Sequence, residues 1–304
     1  MVVTISNEQI VAMGNILNDK TKPLNERFRA LFTLKNIKEA KSVEQIIKCF
    51  DDPSSLLKHE LAYVLGQMQL DEAIPKLIEV LKDTKQEAMV RHEAGEALGA
   101  IGNSSVIPVL EEYSKDPVVE VAETCQIALN KINYSKTGND EQYLNDNYKT
   151  VDPAPPSGLK DINELTRILL DENETLFNRY RAMFNLRNIK SNDSALALSK
   201  GLKASSALFR HEIAFVLGQL KEEITAPALE ENLADPNENE MVRHECAEAL
   251  GAIASPYCWE VLKKYVKDEA RVVRESCLVA LDICEHENNG EFQYANGLSQ
   301  IISS

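Results

Sequence analysis

The chain has 304 residues, of which 44% are apolar and 6% aromatic, with only 12 Gly and 11 Pro. That profile suits a soluble, mainly helical protein and argues against disorder or an all-β fold. The formal charge of −15 argues against nucleic acid as a partner, because phosphates demand a basic face, and no run of eighteen apolar residues offers a membrane span.

The N-terminal stretch MVVTISNEQIVAMGNIL lacks the basic region and cleavage-type site of a signal peptide. Six cysteines (Cys49, Cys125, Cys246, Cys258, Cys277 and Cys284) form no C-x-x-C pair, so no zinc–thiolate site is expected. They read as reduced thiols of a cytoplasmic protein, packed as small hydrophobes.

In chain order, the first helical segment is NERFRALFTLKNI (25–37). KHELAYVLGQM (58–68), MVRHEAGEALGAI (89–101) and AETCQIALNKI (122–132) follow. Phe28, His59, His92 and Glu123 occupy equivalent places, at steps of 31, 33 and 31. A period of this length, with two apolar helical patterns and short breaks per unit, predicts stacked helical hairpins. The Asp52-Pro53, Asp116-Pro117 and Asp235-Pro236 pairs are expected to be an N-cap followed by proline at the first helical position. In Leu98-Gly99 and Leu250-Gly251, glycine serves either a close helix approach or a helix end.

Residues 134–158 are polar and carry Pro153, Pro155 and Pro156, which predicts a linker. Beyond it the pattern returns. FNRYRAMFNLRNI (177–189), RHEIAFVLGQL (210–220), MVRHECAEALGAI (241–253) and RESCLVALDIC (274–284) each lie 152 residues after their counterparts. Tyr180, His211, His244 and Glu275 repeat the earlier steps. The expected architecture is all-α: an α-solenoid of eight helical hairpins in two symmetric four-repeat halves, 1–133 and 159–304. An apolar residue and Arg precede an Ala/Leu-rich helix ending ALG-x-I, as in Val90-Arg91 with Ala97–Ile101 and Val242-Arg243 with Ala249–Ile253. This pattern resembles HEAT repeats.

Five histidines occur, and each is followed by glutamate: His59-Glu60, His92-Glu93, His211-Glu212, His244-Glu245 and His286-Glu287. The first four obey the 152-residue register and sit in the middle repeats of each half. The fifth falls in an acidic tail, EHENNGEF, outside the register, and is set aside. Neighbouring helices in a stack lie roughly 8–10 Å apart, so His59 can meet His92 and His211 can meet His244. If the halves face each other, four His and four Glu enclose one cavity.

Imidazole and carboxylate without thiolate suit iron, manganese or zinc with open positions. Two symmetric sets suggest two metals, which carboxylates could bridge. The bland alternative is a set of solvated N-terminal residues with Glu favouring the helix dipole. An H-E-x-x-H zinc hydrolase is disfavoured, because no pair has the second His at that spacing. Lys58, Arg91, Arg210 and Arg243, just before the four pairs, are expected to tie repeats together. Met89 and Met241 are expected in the core.

The combination resembles the deoxyhypusine hydroxylase family. The likeness rests on LLKHELAYVLGQ, MVRHEAGEALGAI, LFRHEIAFVLGQ and MVRHECAEALGAI, together with the PAPP of the linker. It implies a monomeric monooxygenase with two Fe(2+) ions and dioxygen as co-substrate. Its substrate would be the deoxyhypusine side chain of eukaryotic translation initiation factor 5A. The metal set would be His59, Glu60, His92, Glu93, His211, Glu212, His244 and Glu245, with no catalytic side chain beyond it. Glu60 and Glu212 could instead hold the cationic amines of the substrate. The acidic surface would attract a lysine-rich substrate loop. Two rival readings stand beside it, a non-catalytic HEAT-repeat scaffold and a helical-repeat lyase; neither requires the His-Glu register.

Overall fold

The computed structural model describes residues 5–137, 148 and 150–289. Residues 138–147 and 149 of the expected linker, and the tail beyond Asn289, lie outside the described residues. Among those described there are sixteen α-helices and no strand. They run α1 (Asn7–Asn18), α2 (Leu24–Ile37), α3 (Ala40–Ile47), α4 (Ser55–Met68), α5 (Ile74–Lys82), α6 (Ala88–Ile101), α7 (Ile107–Tyr113) and α8 (Val119–Ser135). Then follow α9 (Ile162–Leu170), α10 (Leu176–Ile189), α11 (Asn192–Ser199), α12 (Ala207–Leu220), α13 (Ala226–Ala234), α14 (Glu240–Ile253), α15 (Pro256–Tyr265) and α16 (Arg271–Asn289). The α-solenoid expected from the period is present. None of these helices is long and apolar enough to cross a membrane.

Contacts divide the chain into two compact units, one running to Ala128 and the other starting at Leu129, inside α8. In the first, α4 packs along α6; in the second, α12 packs along α14 and α14 along α16. The sequence sets the two layers apart. On α5 the buried residues Leu77, Val80 and Leu81 make one stripe, the spacing of a helix with a solvent face. α4 and α6 are buried on most sides, and their small residues let them approach. A Cβ added at Gly66 would meet Ala97 Cα at 2.7 Å, and one at Gly218 would meet Ala249 Cα at 3.0 Å. Gly99 and Gly251 likewise lie against Ala128 and Ala280. Of the two roles considered for these Leu-Gly glycines, close approach is the one used; both helices continue past them.

A ladder of buried arginines fastens the repeats. Arg27, Arg91, Arg179 and Arg243 each donate Nε–H to a carbonyl ten residues earlier, at 2.8–2.9 Å. Their guanidinium groups reach acids: Asp52, Asp116 and Asp268 for Arg27, Arg91 and Arg243, and Glu172 for Arg179. Lys58 pairs with Glu87 and Arg210 with Glu238. The basic residues ahead of the His-Glu pairs therefore serve the scaffold, as their place in the repeat suggested. Met89 and Met241 are in the core.

The Asp-Pro reading needs correction. Helix α4 is capped by Ser54, whose hydroxyl accepts from Leu57 N, and α14 by Asn239. Asp52, Asp116 and Asp235 instead accept from the backbone N–H two residues on, at 2.9 Å each. These are Asx turns in the loops, placed there because Asp52 and Asp116 must also face the arginine ladder. The second correction concerns His286. It is not in a tail beyond the repeats: α16 runs on to Asn289 and buries it. Val273, Cys277, Ala280 and Cys284, all buried, carry one helical face to that point.

The end of the expected linker is fastened to the second unit. Arg187, fully buried, pairs with Asp152 at 2.6 Å, with Tyr148 and Phe184 rings against the guanidinium. Arg181 donates to the carbonyls of Pro155 and Pro156.

Candidate metal centre

In the first unit, the α4–α6 contact brings His59 and His92 together, with ring centroids 5.5 Å apart. His59 Nε2 lies 3.3 Å from Glu93 Oε2. In the second unit, α12 and α14 do the same: His211 and His244 are 5.3 Å apart, and His211 Nε2 is 3.3 Å from Glu245 Oε2. The agreement follows from the duplication, since the same Gly–Ala approach sets both helix separations.

All eight residues are buried, and His92 and His244 are 0% exposed. That burial excludes the reading of solvated helix-start residues. Ligand atoms of His211, His244 and Glu245 lie within 4.8 Å of one another, as do those of His92, Glu93 and Glu96. Each helix places its His and Glu at consecutive positions, about 100° apart around the axis. The His–Glu contact therefore forms across the stack, between His59 and Glu93, and between His211 and Glu245. Glu60 and Glu212 are buried beside these groups but are not in either set.

Charge bookkeeping favours a cation. A buried carboxylate is costly without a compensating charge. The arginines and lysine next in sequence face the acids of the scaffold. Lys35 lies over the rings of Phe32 and Tyr63, and its charge is felt by Glu60. Burial pushes its amine below the ordinary lysine range, and the attraction of Glu60 opposes that. Nitrogen and oxygen donors without sulfur, gathered in a water-poor site, fit a divalent transition metal. The cysteines stay apart from this chemistry: all six are free and buried, and burial raises Cys125 and Cys277 to about 12.

Two residues with a place here were missed in the sequence. Glu96 and Glu248 lie one turn after His92 and His244 and are themselves 152 residues apart. His244 Nδ1 is 3.6 Å from Glu248 Oε1. The register and the i,i+4 spacing were the available signals.

Comparison with known proteins places this geometry. The family described as HEAT repeats matches residues 12–88 and 43–130, and the PBS lyase HEAT-like repeat matches 209–235. The chain is thus a HEAT-repeat protein whose middle repeats carry buried imidazole–carboxylate sets. It is 59% identical over 300 residues to deoxyhypusine hydroxylase of Drosophila melanogaster, covering 98% of each chain. Against that of Homo sapiens it is 54% identical over 297 residues, again covering 98% of each. The structure of human deoxyhypusine hydroxylase in complex with glycerol superposes with a TM-score of 0.90, over 92% of this chain and 97% of that one. The chain belongs to the deoxyhypusine hydroxylase family. The rival lyase reading is left with a 27-residue stretch of shared repeat, 209–235.

Proposed function

We infer that this protein hydroxylates the deoxyhypusine side chain of eukaryotic translation initiation factor 5A to form hypusine, consuming dioxygen at a centre of two Fe(2+) ions. The observation that carries the reading is the pair of buried sets of two histidines and one glutamate, in register, on a chain of this family. His59, His92 and Glu93 would hold metal from the first half, and His211, His244 and Glu245 from the second. Bound ferrous iron supplies the electrons that activate dioxygen for insertion into an unactivated C–H bond, which no side chain achieves alone.

The protein's own part is positioning. The outer histidines, His59 and His211 (His92 and His244 being the inner ones), present Nε2 toward the carboxylates of the next repeat. Within each unit the burial of these histidines and glutamates keeps bulk water from the donors. Glu60 and Glu212 are assigned to the cationic amines of the substrate chain, with metal ligation as the alternative. For Glu60 this is supported by Lys35, an alkylammonium seated over the rings of Phe32 and Tyr63 and attracted by the Glu60 carboxylate. The charge of −15 favours encounter with a lysine-rich protein loop. The free, buried cysteines agree with a reducing, cytoplasmic setting, and a monomer suffices because one chain carries both donor sets.

The test is iron content of the purified protein after anaerobic loading, with mass analysis of the substrate after exposure to air. Two irons per chain and addition of one oxygen atom are expected. Protein that retains no iron, or substrate left unmodified by iron-loaded protein, overturns the assignment.

A further inference from the structure

The four histidines are not equivalent. His59 and His211 turn Nε2 toward a carboxylate of the following repeat. The residues one turn later on their own helices are aromatic, Tyr63 and Phe215. His92 and His244 have glutamate at that place, Glu96 and Glu248. Helical side chains lean toward the N-terminus, so a residue at i+4 reaches back over residue i. In α14 this sets Glu248 Oε1 3.6 Å from Nδ1 of the fully buried His244. From the next repeat, the Ser276 hydroxyl donates to the same oxygen at 3.5 Å, which steadies the carboxylate. In α6, Glu96 lies within 4.8 Å of His92 and Glu93 by ligand atoms. The counterpart of Ser276 is Thr124, also a hydroxyl and also buried.

The geometry points to Glu248, and through the 152-residue register to Glu96, as positioning residues: each accepts a hydrogen bond from Nδ1–H of the histidine one turn before it, the 3.6 Å approach of Glu248 closing to a hydrogen bond, and leaves Nε2 as the metal-binding lone pair. This rests on the metal reading above. An imidazole without such a partner populates both tautomers, and the Nε2–H tautomer presents N–H to the ion. A carboxylate behind the ring fixes the tautomer and strengthens the donor, an effect of about 10–100-fold in metal affinity. The inner histidines need it because neither has the exposure through which water could take that proton.

The experiment uses the full chain, titrated with cobalt(II) alone as the probe, together with 15N-histidine spectra of the metal-free protein. Wild-type His244 is expected as the Nδ1–H tautomer. E248A should weaken cobalt binding by about 10–100-fold, keep the stoichiometry and leave His244 as a tautomer mixture. E248Q keeps an acceptor oxygen and the side-chain shape. It should fold even where E248A does not, hold the tautomer and lose less affinity. E96A and E96Q should behave alike at His92. An unchanged tautomer, or cobalt affinity within about threefold of wild type, overturns the inference while leaving the metal reading standing. Loss of one metal equivalent also overturns it, by making the glutamate a ligand. Wild-type protein that binds no cobalt defeats both.

Discussion

His59 on α4 and Glu93 on α6 meet across the stack, Nε2 to Oε2 at 3.3 Å, although Glu60 is the sequence neighbour of His59. The same crossing joins His211 to Glu245. The glutamates that follow the outer and inner histidines therefore stand in different surroundings, and their variants should behave differently.

Glu93→Ala and Glu245→Ala should each lower bound iron, measured per chain after anaerobic loading. Glu60→Ala should retain iron and instead raise KM for the protein substrate by at least about tenfold, the loss of one charge-assisted contact of roughly 1.5–3 kcal/mol. Equal iron loss in Glu60→Ala and Glu93→Ala would remove the substrate role of Glu60.

The α4–α6 separation is set by Gly66 against Ala97. Gly66→Val forces overpacking, with a cost of about 1–3 kcal/mol, and spreads His59 from His92. Denaturant titration should show the lost stability, and iron binding should fall with it. Gly218→Val makes the same change at His211 and His244.

The Asp116–Arg91 pair makes stability depend on acid. Burial raises the Asp116 carboxyl, but the hydrogen bond and charge of Arg91 and the Val118 N–H outweigh it and hold the group below its ordinary value. A depressed carboxyl stabilises the fold above the unfolded-state value of about 3.9, and that contribution is lost as pH falls through the lower, folded value. Urea midpoints of wild type and Asp116→Asn should therefore differ at neutral pH and converge in this acid range. Asp268 with Arg243 should follow the same course.

Asp152→Asn should be costly although it lies in the segment between the repeats. It takes the counter-charge from Arg187, whose side chain is 0% exposed, and unpairing a buried charge costs about 3–5 kcal/mol. Thermal denaturation should register the loss, and Asp152→Glu should recover part of it.

Helix C-caps offer a stabilising change. Gly102 and Ala254 end equivalent helices in the left-handed region, at φ 75° and 57°. Alanine is strained there and glycine is not. Ala254→Gly should raise the melting temperature, by roughly 1 kcal/mol of stability, and Gly102→Ala should lower it by a similar amount.

The period of 31–33 residues, the 152-residue duplication and the four His-Glu pairs in register were legible in the chain because a stacked repeat needs the same apolar spacing in every copy. A site repeated in register then stands out against it. Of the arginine ladder, Arg91 and Arg243 were legible for the same reason, while Arg27 and Arg179 showed themselves only in the packing. What only the tertiary structure decided is which side chains face one another. Neighbours such as His59 and Glu60 diverge by about 100° around a helix, so the contact partner comes from the next repeat, at a distance governed by Gly66 and Ala97. Packing also decided the use of Asp52 and Asp116 as ladder acids in turns instead of caps, and the continuation of α16 through His286. Glu96 and Glu248 acquire meaning only there, once folding sets a carboxylate behind a buried imidazole.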